Sequence, residues 1–348
     1  MLQYILIFVA AFFLSLLITP LAKWIALKYN ILDRPGLRKI HKNPIPLTGG
    51  EAIFIAITIA LLIFSRNDPM AWKWLLFGAV FILFGLIDDA VFKLRARYKI
   101  WTHILIALCF IFFTGTQFFF FKDGWINYLL TAGFITFMTN SINMLDGMDG
   151  LVAGLSFFSA GFFALIALSG GQLGLVMFSL ALMGACLGFL RYNFNPASIF
   201  LGETGATFLG FILAVLAIKL QIYELWDVAL VLGVERLQFI SFIIPLIILG
   251  IPIFDTYFVF VNRFVHKIKF SQPGKDHSHH RIHLMGFSQK LTVLLLYAIQ
   301  LVLGAIALTM VRADIQQFFA LLAIVVIFFV GFTVFLSRVK VYSSPTTE

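Results

Sequence analysis

Apolar residues in this chain come in long, nearly unbroken runs, parted by short polar connections. A run of roughly 20 apolar residues is the length an α-helix needs to cross hydrocarbon. Scanning on that basis predicts eleven helices, near 2–27, 49–65, 72–90, 100–121, 126–145, 151–169, 172–191, 199–220, 237–262, 290–311 and 315–337. The second is short, and the ninth is long and carries Pro245 and Pro252. There is no internal repeat, low-complexity linker or soluble segment, so residues 1–348 are expected to form one all-α integral membrane domain.

Composition strengthens this picture. Of 348 residues, 61% are hydrophobic, 12% are charged and 42 are phenylalanine, with a mean hydropathy of +1.01, too little polar surface for a soluble domain of this size. The two cysteines, Cys109 and Cys186, sit inside apolar runs, which argues against a disulfide framework or a thiolate metal site. Leu2 to Ala22 has no preceding basic residue and no small-residue cleavage pattern after it, and reads as a retained span. Of the 25 Lys and Arg, all but Arg66, Lys73, Lys122, Lys219, Arg236 and Arg312 fall at the odd-numbered connections or the C-terminal tail. The positive-inside rule then puts the N-terminus outside and the C-terminus in the cytoplasm.

The unusual polar groups gather on that same basic face. "GLIDDA" ends span three with Asp88 and Asp89. "NSINMLDGMDG" closes span five with Asn140, Asn143, Asp146 and Asp149 at three-residue steps. "NFNPASIFLGETG" brings Asn193, Asn195 and Glu203 to the start of span eight, "GIPIFDT" places Asp255 late in span nine, and "KDHSHHRIH" supplies His277, His279, His280, Arg281 and His283. A carboxylate beside hydrocarbon is costly and usually functional. Helical spacing gives Asn140, Asn143 and Asp146 one shared face, and Gly147 and Gly150 let the chain turn to present Asp149. Carboxylates and amide oxygens without thiols suit a hard divalent ion, Mg²⁺ or Mn²⁺. Lys42, Lys93, Arg95, Arg97, Lys99 and Arg281 would complement a polyanion, and the set suits phosphoryl transfer.

Plainer readings stand beside these. The Asp88–Asp89 pair could end a helix, Glu203 could sit at a helix N-terminus for the dipole, and Asp255 could be a hydrogen-bonded structural acid. The histidines could form a pH-sensitive loop, or a zinc site if more ligands stood at helical spacing. The Arg34–Lys42 loop could bind anionic headgroups. Glu51 and His103 are isolated and carry no assigned chemistry. Gly184 and Gly188 read as helix packing, and Phe118–Phe121 as lipid-facing or at the membrane boundary.

With these motifs in this order, from "LDRPGLRKIHKNPIPLTGG" to "HSHHRIHLMGFSQKLTVLLLYAI", the chain resembles the polyprenyl-phosphate N-acetylhexosamine-1-phosphate transferases. These are the WecA/TagO-like group of glycosyltransferase family 4, related more distantly to MraY. The resemblance covers roughly residues 30 to 300. It implies transfer of N-acetylglucosamine-1-phosphate from UDP-GlcNAc to undecaprenyl phosphate, releasing UMP, with Mg²⁺ (or Mn²⁺). The setting would be a bacterial plasma membrane with a cytoplasmic active site. No nucleic acid is implied, membrane lipids are partners, and a homodimer is left open. Carried over residue by residue, Asp88, Asp89, Asp146 and Asp149 would be catalytic. Glu203, Asp89 and Asp149 would hold metal. Lys99, Asn140, Asn143, Asn193, Asp255, His277, His279, His280 and Arg281 would bind substrate.

The chain departs from the family pattern twice. Glu203 stands where Asp is usual, and Pro273-Gly274 replaces a Pro-Asp, with Asp276 two positions on as a substitute acid. The remaining alternatives are an MraY-like transferase for UDP-MurNAc-pentapeptide, a transferase for another UDP-HexNAc, and a non-enzymatic cation transporter.

Overall fold

The computed structural model describes residues 2–35, 43–92, 94–234, 236–269, 274–339 and 341. The chain opens with α1 (Leu2–Tyr29), then a small antiparallel pairing of β1 (Leu32–Asp33) with β2 (Ile45–Pro46). Six long helices follow: α2 (Gly49–Phe64), α3 (Pro69–Ile87), α4 (Ala96–Thr114), α5 (Gly124–Leu145), α6 (Leu151–Ser169) and α7 (Leu173–Asn193). α8 (Gly202–Lys219) leads to the short helices α9 (Trp226–Val231), α10 (Leu237–Ser241) and α11 (Ile243–Ile248). The chain closes with α12 (Gly250–Val265), a short α13 (Ser278–Leu284), α14 (Gln289–Met310) and α15 (Ile315–Ser337).

Local chemistry sets several boundaries. Asp68 opens α3: its carboxylate accepts from the amides of Met70 and Ala71 at 2.9 and 3.4 Å, with Pro69 just inside. Asp314 and Gln317 form a reciprocal box at the start of α15.

Eight of the described helices are long and apolar enough to cross a membrane, nine if the bent α10–α12 segment counts as one span. Two of the eleven expected runs fall short by this measure. α2 has only 16 residues, and α5, though 22 residues long, is diluted by Asn127, Thr131, Thr136, Thr139, Asn140, Ser141 and Asn143. The ninth run is not a single helix, because it turns by 83° between α11 and α12. Proline 252 has no N–H to give the Ile248 carbonyl one turn earlier, and the Gln300 side chain of α14 donates there instead at 2.6 Å.

α8 is the centre of the bundle, buried along nearly its whole length, with α2, α3 and α5 packed around it. Small residues allow the approach: a Cβ on Gly50 would lie 2.3 Å from the Gly205 Cα, and one on Gly85 2.4 Å from the Thr204 Cα. Gly184 and Gly188 of α7 serve the expected packing role, facing the Phe8 and Phe12 carbonyls of α1. Phe118 is a correction. It is buried and edges against Phe134 and Phe242, while Phe119 and Phe121 remain exposed.

Candidate active site

The first turn of α8 organises the site. After α3 the backbone widens into a π-helical turn, Asp88–Phe92, which brings two acids against α8. Asp89 accepts from the amides of Glu203 and Thr204 at 3.3 and 3.2 Å and from the Thr204 hydroxyl at 2.9 Å. Its negative charge therefore meets the unsatisfied amides and positive dipole end of α8. Asp88 accepts from the Leu94 amide at 2.5 Å and pairs with Lys99 of α4 at 2.7 Å. The Lys99 ammonium also bonds Glu203, the second residue of α8. Glu203 keeps its other oxygen, Oε1, buried and without a hydrogen-bond partner.

The α5–α6 connection supplies the second group of acids. Gly150 adopts a left-handed backbone (φ 78°), which reverses the chain into α6. Gly147 is needed for a different reason than the turn first ascribed to it: a Cβ there would lie 2.5 Å from His279 Nε2. Asn193 accepts from the Gly150 amide at 3.1 Å and donates to the Ile199 carbonyl at 2.9 Å. The Tyr297 hydroxyl donates to the Gly150 carbonyl, and the ring fills the space a side chain at Gly154 would need. Asp149 accepts from Asn195 Nδ2 and the Ala197 amide, both at 2.9 Å, and Gln289 steadies Asn195 at 3.0 Å. Asp146 has no donor among the described residues. Burial, then the negative charges of Asp89 and Asp149, push its pKa up to about 7.

These groups line one cleft of about 800 Å³. Asp88, Asp89, Lys99, Asn143, Asp146, Asp149, Asn193, Glu203 and His280 all face it, as do Asn195, Gln289, Phe200 and Asp33. Among the described residues, no three His, Cys, Asp or Glu side chains form a ready-made metal ligand set. Magnesium does not require one, since it commonly takes one or two carboxylates and completes its shell with water and phosphate. Glu203 Oε1 and the donor-free Asp146 carboxyl are oxygens of that kind.

The other expected site residues stand behind the cleft. Asn140 lies one turn deeper in α5, donating to the Thr136 carbonyl at 2.7 Å and meeting His103 Nδ1 at 3.2 Å, so His103 is not isolated after all. Asp255 is fully buried and accepts from the Ser278 amide and hydroxyl and pairs with His277 Nδ1, all at 2.6 Å. Burial opposes a charge on His277, but the Asp255 carboxylate outweighs it and raises the imidazolium above its ordinary pKa. His279 is buried, and burial followed by its histidine neighbour keeps it neutral; burial lowers His280 to about 4. The His279 and His280 ring centres are 4.3 Å apart.

Arg281 is not a cleft cation. It donates to the Leu336 and Val339 carbonyls at 3.2 and 2.8 Å and lies over the Phe258 ring, tying α13 to the end of α15. Asp276 is clamped by Arg263 at 2.6 and 2.8 Å, which removes it as a substitute acid in the cleft. Arg95 and Arg97 are exposed outside the lining, and Lys42 and Lys93 lie outside the described residues. Lys99 is thus the one Lys or Arg of the described lining. Gln289, Thr204 and Tyr297 carried no sequence signal, because each is an ordinary residue given its role by a partner far along the chain.

Across 343 residues the chain is 35% identical to the probable undecaprenyl-phosphate N-acetylglucosaminyl 1-phosphate transferase of Bacillus subtilis (strain 168), covering 94% of this chain and 90% of that one. A sequence model of Glycosyl transferase family 4 matches residues 71–221. The chain belongs to glycosyl transferase family 4. Partial relatives of this transferase include the phospho-N-acetylmuramoyl-pentapeptide-transferases of Moorella thermoacetica and Bacillus anthracis. The first is 33% identical over 51% of this chain and 62% of its own, the second 30% over 60% and 71%. The stretch matched by the family model contains Asp88, Asp89, Lys99, Asp146, Asp149 and Glu203, six of the ionisable residues that line the cleft.

Proposed function

We propose that this membrane transferase moves N-acetylglucosamine-1-phosphate from UDP-GlcNAc to undecaprenyl phosphate, releasing UMP and leaving undecaprenyl-diphospho-N-acetylglucosamine. One observation carries the reading's chemistry: a cleft lined by Asp88, Asp89, Asp146, Asp149 and Glu203 against a single lysine among the described residues. Such a cleft admits a diphosphate only together with a cation. The expected ion is Mg²⁺, with Mn²⁺ as a substitute. Glu203, through Oε1, and Asp146 would hold it, with Asp89 and Asp149 lining the same cleft. When bound, such an ion neutralises the diphosphate and the departing phosphate.

The protein's own groups position the rest. A lipid phosphate oxygen attacks the β-phosphorus of UDP-GlcNAc, and the bond to the oxygen bridging to the α-phosphorus breaks, leaving that oxygen on UMP. Much of a phosphate monoester is doubly anionic at neutral pH, so no strong base is needed. Lys99 faces the incoming phosphates. Asp89 is held on α8 and Asp149 by Asn195 and Ala197, so both act chiefly by fixing the walls of the cleft. In this reading the chain crosses a bacterial plasma membrane eleven times, with the N-terminus outside, the C-terminus and cleft cytoplasmic, and α2 and α5 among the crossings.

The test is a membrane assay offering UDP-GlcNAc, UDP-GalNAc and UDP-MurNAc-pentapeptide with undecaprenyl phosphate, reading UMP and lipid product. Product from UDP-GlcNAc is expected, and product from UDP-MurNAc-pentapeptide alone would replace this reading with the pentapeptide one. Without lipid, no stoichiometric UMP should appear, and its release would demand an aspartyl-phosphate route through Asp89 or Asp149.

A further inference from the structure

Glu203 and Lys99 are a mismatch in an acidic cleft. Six carboxylates line the cleft with one ammonium, and that ammonium is shared by two of them, Asp88 Oδ2 at 2.7 Å and Glu203 Oε2. The two acids are not held alike. Asp88 is anchored through its other oxygen to the Leu94 amide, whereas the other oxygen of Glu203 is buried and unpartnered. Asp88 is therefore a fixed partner for Lys99. Glu203, on a flexible two-methylene stem, lines the cleft and keeps one oxygen without a hydrogen-bond partner.

We propose that Lys99 is a resident stand-in for the divalent cation: it holds the Glu203 carboxylate until the ion arrives, then yields it. Lys99 stays on Asp88 and turns its remaining N–H donors to the substrate phosphates. This rests on the metal-dependent transferase reading above. The electrostatics favour exchange over sharing, because an ammonium and a divalent ion a few ångströms apart repel in a partly buried site. A divalent ion also neutralises more of the acids lining the cleft than one ammonium can. A lysine whose sole task was to bind phosphate would keep its bond to Glu203 when the metal entered, so its reactivity would not change with metal in the absence of nucleotide. A stand-in opposes the metal, so deleting it should tighten metal binding even as turnover falls.

The experiment measures Mn²⁺ binding to the full-length, detergent-solubilised protein without nucleotide, following free Mn²⁺ by electron paramagnetic resonance. Glu203→Gln should weaken binding at least ~10-fold, and Lys99→Met should tighten it about 10-fold by removing a competing positive charge. Lys99→Arg should bind as the wild type does. Unchanged or weaker binding by Lys99→Met, with wild-type binding still dependent on Glu203, overturns the stand-in role and leaves the metal reading intact. Absence of any Mn²⁺ binding to the wild type overturns the metal reading and this proposal with it. A second measurement needs no variant: Mn²⁺ should raise acetylation of Lys99 by acetic anhydride a few-fold, scored by peptide mass spectrometry. Labelling that Mn²⁺ leaves unchanged counts against the exchange.

Discussion

Asp255 and Asp146 are both acids drawn to the same short helix, and they differ in what meets them. Asp255 is fully buried on α12 and is matched by His277 and by both donors of Ser278. Asp146 is half-buried at the end of α5 and has no donor among the described residues. α13 joins the two regions: His277 binds Asp255, while His279 abuts Gly147 beside Asp146 and His280 lines the cleft. A buried carboxylate with all its partners is a structural clamp. One left without a donor, among other acids, is waiting for a cation or a proton. Satisfaction, more than charge, separates the scaffold from the chemistry.

The largest test of that contrast is on the cleft side. Asp146→Asn and Glu203→Gln should each lower kcat about 10³-fold or more, with thermal unfolding in detergent nearly unchanged, because they remove charge from groups that make little of the fold. Near-normal turnover in Glu203→Gln would reduce Glu203 to a residue that merely favours the start of α8. The reverse pattern is expected behind the cleft. Asp255→Ala strands a buried imidazolium and two Ser278 donors, and should cost about 3 kcal/mol or more of stability. Purified variant melting as the wild type does would show the clamp to be dispensable.

The sequence showed the cleft better than it showed the clamp. Charges are expensive next to hydrocarbon, so Asp88, Asp89, Asp146, Asp149 and Glu203 stood out, and all five line one cavity. Direction was not visible. Asp255 and Arg281 looked like the same kind of group, yet one binds His277 and the other reaches carbonyls 55 and 58 residues away. Spacing alone put Asn140 on a face with Asn143, but the cleft begins one turn later. Pro245 and Pro252 marked the ninth run as irregular, while its 83° turn depends on Gln300 from another helix to satisfy Ile248.

Tyr297→Phe probes the seam between the two regions, and its effect should be smaller. It removes one hydrogen bond, to the Gly150 carbonyl at the end of the Asp146–Gly150 turn, while the ring still fills the space beside Gly154. The expected loss is about 1 kcal/mol of stability. Turnover should drop only a few-fold, since Asn193 still holds the Gly150 amide. A loss as large as that of Asp146→Asn would mean that the turn is held chiefly by Tyr297.

The smallest effect is a pH slope that belongs to the clamp alone. His277 titrates above its ordinary value in the folded protein because Asp255 favours the charged ring over the cost of burial. Protons are therefore bound more tightly in the folded state than in the unfolded one. The stabilisation is complete below the unfolded pKa of about 6.5 and fades as pH rises through the folded value. Asp276 and Arg263, the other charges acting on this ring, add in opposite senses, the first raising and the second lowering its pKa. Melting temperature followed from pH 6 upward should thus fall more steeply for the wild type than for His277→Gln, which has no imidazolium to lose. Parallel curves would mean that His277 is neutral against Asp255, and that the clamp is held by neutral hydrogen bonds instead of an ion pair.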